Sequence, residues 1–381
     1  MVTTKREQLR VMIAGGGTGG HLFPALAVAE AVQKLAPGTR IMFVGSDRGL
    51  EAQRFPRERY ELELLPVRGL SRRNPFANVL VLGRFVSSLR KAWKLVGRFD
   101  PHVVLGVGGY SSGPACSVAL LRRRPLALHE QNSYPGLVTR KLSRWAREVY
   151  LSYEQAAEFL SKKTHWLVTG NPPRAGLKRV PKEDARQFFG LPVDVPVVFV
   201  FGGSQGARGV NEALLAALPE LLAGTAYHFL WAVGRYDLDR VKESLAKLDP
   251  KGKRVRTFDF VENMAEAYSA ADLVICRAGA TTLSELTALG VPALLVPYPY
   301  AAGDHQRANA RALASAGAAV VVDQSELTGE RLVQEIRSLV ENEERLRKMA
   351  EAARKLARPR AALDIAERLL RLARERAAEY P

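Results

Sequence analysis

Two stretches of the chain repeat one design. Val11-Met12-Ile13-Ala14 runs into Gly15-Gly16-Gly17-Thr18-Gly19-Gly20, and Val198-Phe199-Val200-Phe201 runs into Gly202-Gly203-Ser204-Gln205-Gly206-Ala207. Each is a short apolar strand, a glycine-rich turn and the start of a helix. At such a turn a parallel α/β sheet presents backbone N–H groups and a helix dipole to an anion. A chain that does this twice is committed to two α/β units, and 381 residues suit two domains of roughly 150–200 residues each.

The remaining pattern agrees. Strand candidates in the first half are Leu9–Ala14, Arg40–Val44, Tyr60–Val67, His102–Val107, Leu126–His129, Glu148–Ser152 and Trp166–Val168. They are short and apolar on both faces, as buried parallel strands are, and helical stretches such as Leu22–Leu35 separate them. The alternation breaks at Thr169-Gly170-Asn171-Pro172-Pro173, which can continue neither helix nor strand. It resumes with Val195–Phe201, Tyr227–Ala232, Arg254–Phe260, Leu273–Cys276, Ala293–Val296 and Ala318–Val322. Gly329–Ala357 reads as one long charged helix, and Pro359 separates it from a last amphipathic helix. The expected architecture is α/β: two doubly wound, Rossmann-like domains over residues 1–171 and 172–360, with 361–381 a candidate to pack back on the first.

Charge is unevenly placed. Residues 1–171 carry 26 Lys+Arg against 12 Asp+Glu, whereas the rest carries 30 against 27, within a net +17. The first half therefore favours an anionic partner: nucleic acid, a membrane surface or a phosphorylated substrate. No apolar run approaches the ~20 residues of a membrane-spanning helix. The N-terminus reads as polar, without a leader, and the two cysteines, Cys116 and Cys276, sit in apolar stretches. Two buried thiols fit a reducing cytoplasm.

Several motifs carry chemistry. Gly15-x-Gly17-x-x-Gly20 fits the dinucleotide fingerprint, with Asp47 placed like a ribose-binding acid, yet His21 follows at the helix start. A third turn, Gly106-Val107-Gly108-Gly109-Tyr110, and the run His129-Glu130-Gln131-Asn132 end two further strands at the same sheet edge. The plain alternative for that polar run is an exposed loop. In the second half, Cys276-Arg277-Ala278-Gly279-Ala280-Thr281-Thr282-Leu283-Ser284-Glu285 is a strand, a small-residue turn and a helix start. Glu285 is placed to accept two ribose hydroxyls, or else simply complements a helix dipole. Gly303-Asp304-His305-Gln306-Arg307-Ala308-Asn309 opens another helix with amides suited to sugar hydroxyls.

Asp237-Leu238-Asp239 looks like a metal-binding pair but lies where a helix starts, so capping explains it better. The six histidines show no metal-ligand spacing, and no metal or cofactor is expected. Arg122-Arg123-Arg124 reads as a solvated helix end. Gly69–Val86, followed by Arg90, Lys91, Trp93 and Lys94, interleaves large apolar residues with cations. That composition suits contact with an anionic lipid surface, an ordinary buried helix being the alternative.

Jointly, Gly16-Gly17-Thr18-Gly19-Gly20-His21 with Pro24-Ala25, Gly108-Gly109-Tyr110, His129-Glu130-Gln131-Asn132, Gly170-Asn171-Pro172 with Arg174, Gly202–Ala207, Arg277–Glu285 and His305-Gln306 with Asn309 resemble the MurG family. These bacterial transferases add N-acetylglucosamine to the undecaprenyl-linked muramyl-pentapeptide to complete the peptidoglycan precursor. The resemblance implies a GT-B fold, two Rossmann-like domains facing a cleft, and an inverting transfer from UDP-N-acetylglucosamine to a muramyl 4-hydroxyl. It implies that Val261 meets the uracil through its backbone, and that Ala280, Thr281, Thr282, Leu283, Ser284 and Glu285 hold ribose and phosphates. Ser204 and Arg174 would bind the diphosphate. Gln306 would face the sugar, with Thr18, Gly19, Gly20 and Asn132 closing on it from the first domain. His21 is the candidate general base and Glu130 the alternative. The implied location is the cytoplasmic face of the inner membrane, as a peripheral protein.

Two rivals stand beside this reading: a related UDP-sugar transferase acting on another lipid acceptor, and an NAD(P)-dependent Rossmann oxidoreductase. The latter leaves the second glycine turn, Glu285 and His305-Gln306 without a role. A nucleic-acid binder, prompted by the charge, lacks recognisable motifs, so no nucleic-acid partner is expected.

Overall fold

The computed structural model describes residues 8–49, 51–52, 55, 57–67, 77–203 and 205–379, with only the main chain of 77–82 and 302. They form two compact units, residues 1–175 with 358–381 and residues 176–357. The division falls a few residues beyond the Gly-Asn-Pro-Pro break.

The first unit holds seven parallel strands: β1 (Arg10–Ala14), β2 (Arg40–Ser46), β3 (Glu61–Leu65), β4 (Val103–Gly106), β5 (Leu126–Glu130), β6 (Glu148–Leu151) and β7 (Trp166–Val168). Their order is β3-β2-β1-β4-β5-β6-β7. Because side chains alternate along a strand, Val11 and Ile13 enter one core while Met12 and Ala14 enter another. The first core is covered by helices Gly19–Leu35 and Ala361–Glu379, the second by Ala77–Phe99 and Ser112–Leu121. The last helix thus belongs to the first unit. It is fastened there by Arg368 and Arg371, which donate to the buried Glu148 carboxylate at 3.1 and 2.6 Å.

The second unit repeats the plan with six parallel strands: β8 (Val197–Phe201), β9 (His228–Ala232), β10 (Val255–Phe258), β11 (Leu273–Cys276), β12 (Ala293–Leu295) and β13 (Ala319–Val321), ordered β10-β9-β8-β11-β12-β13. Val198 and Val200 face helices Arg208–Gly224 and Gly329–Val340; Phe199 and Phe201 face Met264–Ala270 and Ala280–Leu289.

Three expectations change. The helix read as Leu22–Leu35 starts at Gly19, so the last two glycines of the turn are helical and His21 lies in the first helical turn. The segment read as one helix from Gly329 to Ala357 is two, Gly329–Val340 and Glu343–Leu356. Asn342 separates them because its side chain caps the second helix, accepting from Arg345 N at 2.9 Å. The arginine trio is not merely solvated. Arg122 stacks 4.2 Å from the Trp93 ring centroid, and Arg124 pairs with Asp100.

Asp237 does sit at the N-cap of helix Leu238–Leu248, but without a capping bond from its side chain. Its carboxylate instead accepts from Asn211 Nδ2 at 2.9 Å and from Arg240.

Candidate functional site

In each sheet the strand order reverses once, between β1 and β4 and between β8 and β11. At such a switch point two neighbouring turns leave the carboxyl edge in opposite directions and open a crevice. The glycine-rich stretches sit at these two places.

At the first switch point the turns after β1 and β4 lie backbone against backbone. A Cβ on Gly109 would stand 2.4 Å from Gly16 O, so only glycine allows this approach. Behind the first turn lies a residue that sequence reasoning missed. Glu51 is 1% exposed, and its carboxylate accepts from Gly17 N at 2.8 Å and Ser46 N at 2.7 Å. A Cβ on Gly16 would fall 2.4 Å from that carboxylate. The turn that matches a dinucleotide fingerprint therefore already holds an internal anion on one of its amides, where a pyrophosphate would meet like charge. Asp47, the acid singled out from sequence, is exposed. Nothing in hydropathy marks Glu51, since it follows the strand in a polar stretch.

The polar run that ends β5 is not a loop on the surface. His129 and Glu130 are the last residues of β5, and His129, Glu130 and Gln131 are at most 3% exposed. Burial of this kind is tolerated only when each polar atom finds a partner. Gln131 Nε2 donates to Val107 O at 2.9 Å and lies 3.1 Å from His129 Nδ1, while Gln131 Oε1 lies 3.1 Å from His21 Nδ1. His129 Nε2 lies 3.3 Å from Gly170 O. Burial pushes His129 down to about 4, so the ring is neutral near pH 7.

Glu130 is placed differently from His21. Its carboxylate accepts from Asn132 N at 3.1 Å and Gly136 N at 2.9 Å, with Asn132 Nδ2 at 3.4 Å. Burial raises its carboxyl above the usual range, and these amides act in the opposite direction. The geometry makes Glu130 the support of the 131–136 turn that carries Asn132.

Thr18, at the N-cap of helix Gly19–Leu35, has no side-chain capping bond, and Thr18, Gly19 and Gly20 are accessible on the turn. Arg174 stacks over Phe23 of the same helix, 4.5 Å from the ring centroid.

At the second switch point the turn after β8 carries no such counter-charge. Among the described residues, no carboxylate hydrogen-bonds Gly202, Gly203, Gln205, Gly206 or Ala207; Ser204 lies outside them. The turn after β11 leads through Gly279, at the N-cap, into helix Ala280–Leu289. Thr281, Leu283 and Glu285 of that helix are buried, and Ser284 Oγ donates back to Thr281 O at 2.8 Å. Leu283 belongs to the core, and so does Val261, so either can meet a ligand only through its backbone.

Glu285 is 2% exposed and accepts from Tyr268 Oη at 2.8 Å. Tyr268 is a second residue that sequence reasoning passed over, hidden because a core helix tyrosine looks like packing. After β12, Gln306 Oε1 accepts from Tyr298 N at 2.9 Å, which orients the amide. Arg277 holds the same segment by donating to Val296 O and Pro297 O, both at 3.2 Å.

The structure thus gathers His21, Gln131, His129, Glu130 and Asn132 in the first unit. It gathers Tyr268 with Ala280, Thr281, Thr282, Ser284 and Glu285 in the second.

Comparison with known proteins places both halves. Residues 11–151 match the glycosyltransferase family 28 N-terminal domain and residues 197–368 the family 28 C-terminal domain. A relative from Chlorobaculum tepidum is 44% identical over 370 residues, covering 96% of this chain and 100% of its own. One from Salinibacter ruber is 42% identical over 363 residues, covering 95% and 96%. Both are named UDP-N-acetylglucosamine--N-acetylmuramyl-(pentapeptide) pyrophosphoryl-undecaprenol N-acetylglucosamine transferase. The crystal structure of Acinetobacter baumannii MurG superposes with a TM-score of 0.73 at 31% identity, covering 95% of this chain and 99% of that one. Two parallel-sheet units carrying these two domains constitute the GT-B fold. By relatives that match it almost end to end and by both of its switch points, the chain belongs to glycosyltransferase family 28, in the MurG family.

Proposed function

We propose that the chain moves N-acetylglucosamine from UDP-N-acetylglucosamine to the 4-hydroxyl of undecaprenyl-pyrophosphoryl-N-acetylmuramyl-pentapeptide, completing the lipid-linked peptidoglycan precursor. The observation that carries this is the near-full-length relation to transferases so named, together with the chemistry gathered at the two switch points.

In the second unit, the Glu285 carboxylate, oriented by Tyr268, suits vicinal ribose hydroxyls. The helix start at Ala280–Ser284 and the turn with Ser204 suit the diphosphate through backbone amides and dipole. Val261 is assigned to the uracil through its backbone, and Gln306 to the sugar. In the first unit, His21 is assigned as base, Arg174 to the leaving diphosphate, and Thr18, Gly19, Gly20 and Asn132 to the reacting groups.

The step balances without a redox partner. The acceptor O4–H gives its proton to His21 Nε2 as O4 bonds the anomeric carbon. The bond from that carbon to the β-phosphate oxygen breaks, and UDP departs with the electron pair. Attack from the opposite face inverts the centre. Amides and Arg174 stabilise the charge that grows on the leaving group.

Two features support work at an anionic membrane surface, assigned in this reading to the cytoplasmic side. All of the +17 falls in the first unit, with 33 Lys+Arg against 16 Asp+Glu there and 23 against 23 in the second. In helix Ala77–Phe99, Ala92, Leu95, Val96 and Phe99 face the core, while Arg84, Val86, Arg90, Trp93 and Lys94 are exposed. Residues 69–76 of the segment singled out from sequence lie outside the described ones. Among the described residues no helix is long and apolar enough to cross a membrane.

The decisive assay supplies undecaprenyl-linked muramyl-pentapeptide and radiolabelled UDP-N-acetylglucosamine and looks for labelled disaccharide lipid. Transfer only to a different lipid acceptor would select the related-transferase reading. Flotation with vesicles containing anionic lipid tests the surface; equal recovery on zwitterionic vesicles at low salt would remove it.

A further inference from the structure

We infer that Gln131 is a positioning residue that fixes the tautomer of His21, placing the ring proton on Nδ1 so that Nε2 is the basic nitrogen. The inference rests on the reading of His21 as general base.

The tautomer follows from which groups are able to donate. Val107 O is a carbonyl and can only accept, so the amide atom 2.9 Å from it must be the NH2 of Gln131. That orients the amide, and Oε1 is then the atom 3.1 Å from His21 Nδ1. An amide oxygen can only accept, so Nδ1 carries the hydrogen. In a neutral imidazole the other nitrogen, Nε2, then holds the basic lone pair.

The far end is fixed in the same way. The second hydrogen of Gln131 Nε2 points to His129 Nδ1 at 3.1 Å, which must accept, so His129 carries its proton on Nε2, facing Gly170 O at 3.3 Å. His129 can play that part only while neutral, as its depressed value allows. Two carbonyls that cannot change roles therefore bracket the chain His21–Gln131–His129. Gly108 closes it sterically: a Cβ there would stand 2.9 Å from His21 Cε1 and 3.1 Å from Nδ1, so a larger residue in the turn after β4 would displace the ring.

Among the described residues, the elements packed about this chain carry His129, Glu130 on the same strand, Glu51 behind the first turn, Tyr110 on the turn after β4 and Arg174 over Phe23 on the His21 helix. None of them occupies the place of Gln131 between the two rings. A neutral amide there sets the tautomer without adding charge to the base.

The test uses the full-length chain labelled with ¹⁵N-histidine, with His21 assigned by comparison with His21→Gln. The ¹⁵N shifts of wild type at neutral pH should report a proton on Nδ1 of His21 and on Nε2 of His129. Gln131→Leu should return His21 to the Nε2–H form and lower kcat about 10- to 100-fold, with donor KM within threefold. Gln131→Glu keeps an acceptor for Nδ1. It should retain the Nδ1–H form and more of kcat than Gln131→Leu, and move the acidic limb of the kcat/KM profile to higher pH, because a carboxylate stabilises the imidazolium.

An Nε2–H form in the wild type would overturn the inference. So would an unchanged tautomer in Gln131→Leu with kcat within twofold. If Gln131→Leu does not fold, the wild-type spectrum and Gln131→Glu still decide it. If His21→Gln retains activity, the base assignment fails, while the tautomer measurement separately judges the geometry.

Discussion

The two glycine turns look alike as strings and differ as sites. The turn after β1 is backed by a buried carboxylate that takes the Gly17 amide, and it delivers His21 on the following helix. The turn after β8 has no carboxylate on its described amides, and the neighbouring turn after β11 leads into a helix that carries Glu285. One switch point meets an internal carboxylate at Gly17 N and carries His21, the proposed base; the other has no carboxylate on its described amides, in keeping with the proposed diphosphate site. A glycine pattern reports where backbone approaches closely. What approaches it is decided by groups distant in sequence, here Glu51, thirty-odd residues beyond the turn.

This contrast can be broken or sharpened by experiment. The largest effect belongs to His21. His21→Ala should lower kcat by at least ~100-fold, the range of acid–base catalysis, in the radiolabel transfer assay. A loss confined to donor KM would make His21 a binder and the two turns similar after all.

Next comes Glu51. Glu51→Ala removes the charged acceptor of the Gly17 and Ser46 backbone N–H groups, which are only partly buried, and should cost about 1–3 kcal/mol, measured by denaturant unfolding followed in the first unit. Inorganic phosphate should then stabilise the variant and not the wild type. Equal phosphate stabilisation in both would show that the carboxylate does not seal the turn.

A change of similar size is expected from pH. His129 is pushed down to about 4, against an ordinary value of 6.5. Between those values the unfolded chain binds a proton that the folded one refuses, so stability is full above 6.5 and falls as pH drops towards 4, by about 3 kcal/mol from this group. Glu130, raised in the fold, acts in the opposite direction at the low end of that window. Hydrogen exchange from pH 7 to 4.5 should show amides of β5 losing protection faster than those of β11. Parallel losses would deny that the buried histidine matters.

Glu285→Gln should raise donor KM about 10-fold with kcat within a few-fold, and Tyr268→Phe should raise it about 3-fold, as expected for weakening one hydrogen bond to a charged group. Isothermal titration with UDP checks both. If UDP affinity is unchanged, the open turn of the second unit has another occupant.

Much of the fold was legible in the sequence because its signal is local. Thirteen apolar runs became thirteen strands, and the Gly-Asn-Pro-Pro break lies close to the division between the units. Helix boundaries were less legible. Glycines 19 and 20 were read as turn because glycine weakens helices, yet the packed helix absorbs them, and Asn342 split a charged stretch whose periodicity is continuous across it. At the site, His21, Glu285 and Gln306 could be picked out as polar residues at strand–helix junctions. Glu51, Tyr268 and the support role of Glu130 could not, because each acts through a contact that no pattern encodes.

The sequence by itself determined two parallel sheets, their glycine turns and the helices that follow, since strand hydropathy and turn chemistry are properties of neighbours along the chain. Only the tertiary structure decided which turn carries its own anion, which way the Gln131 amide faces and where the last helix returns. Those are set by burial: away from water every carbonyl, amide and carboxylate must find a partner in space, and the chain supplies it from wherever the fold brings one.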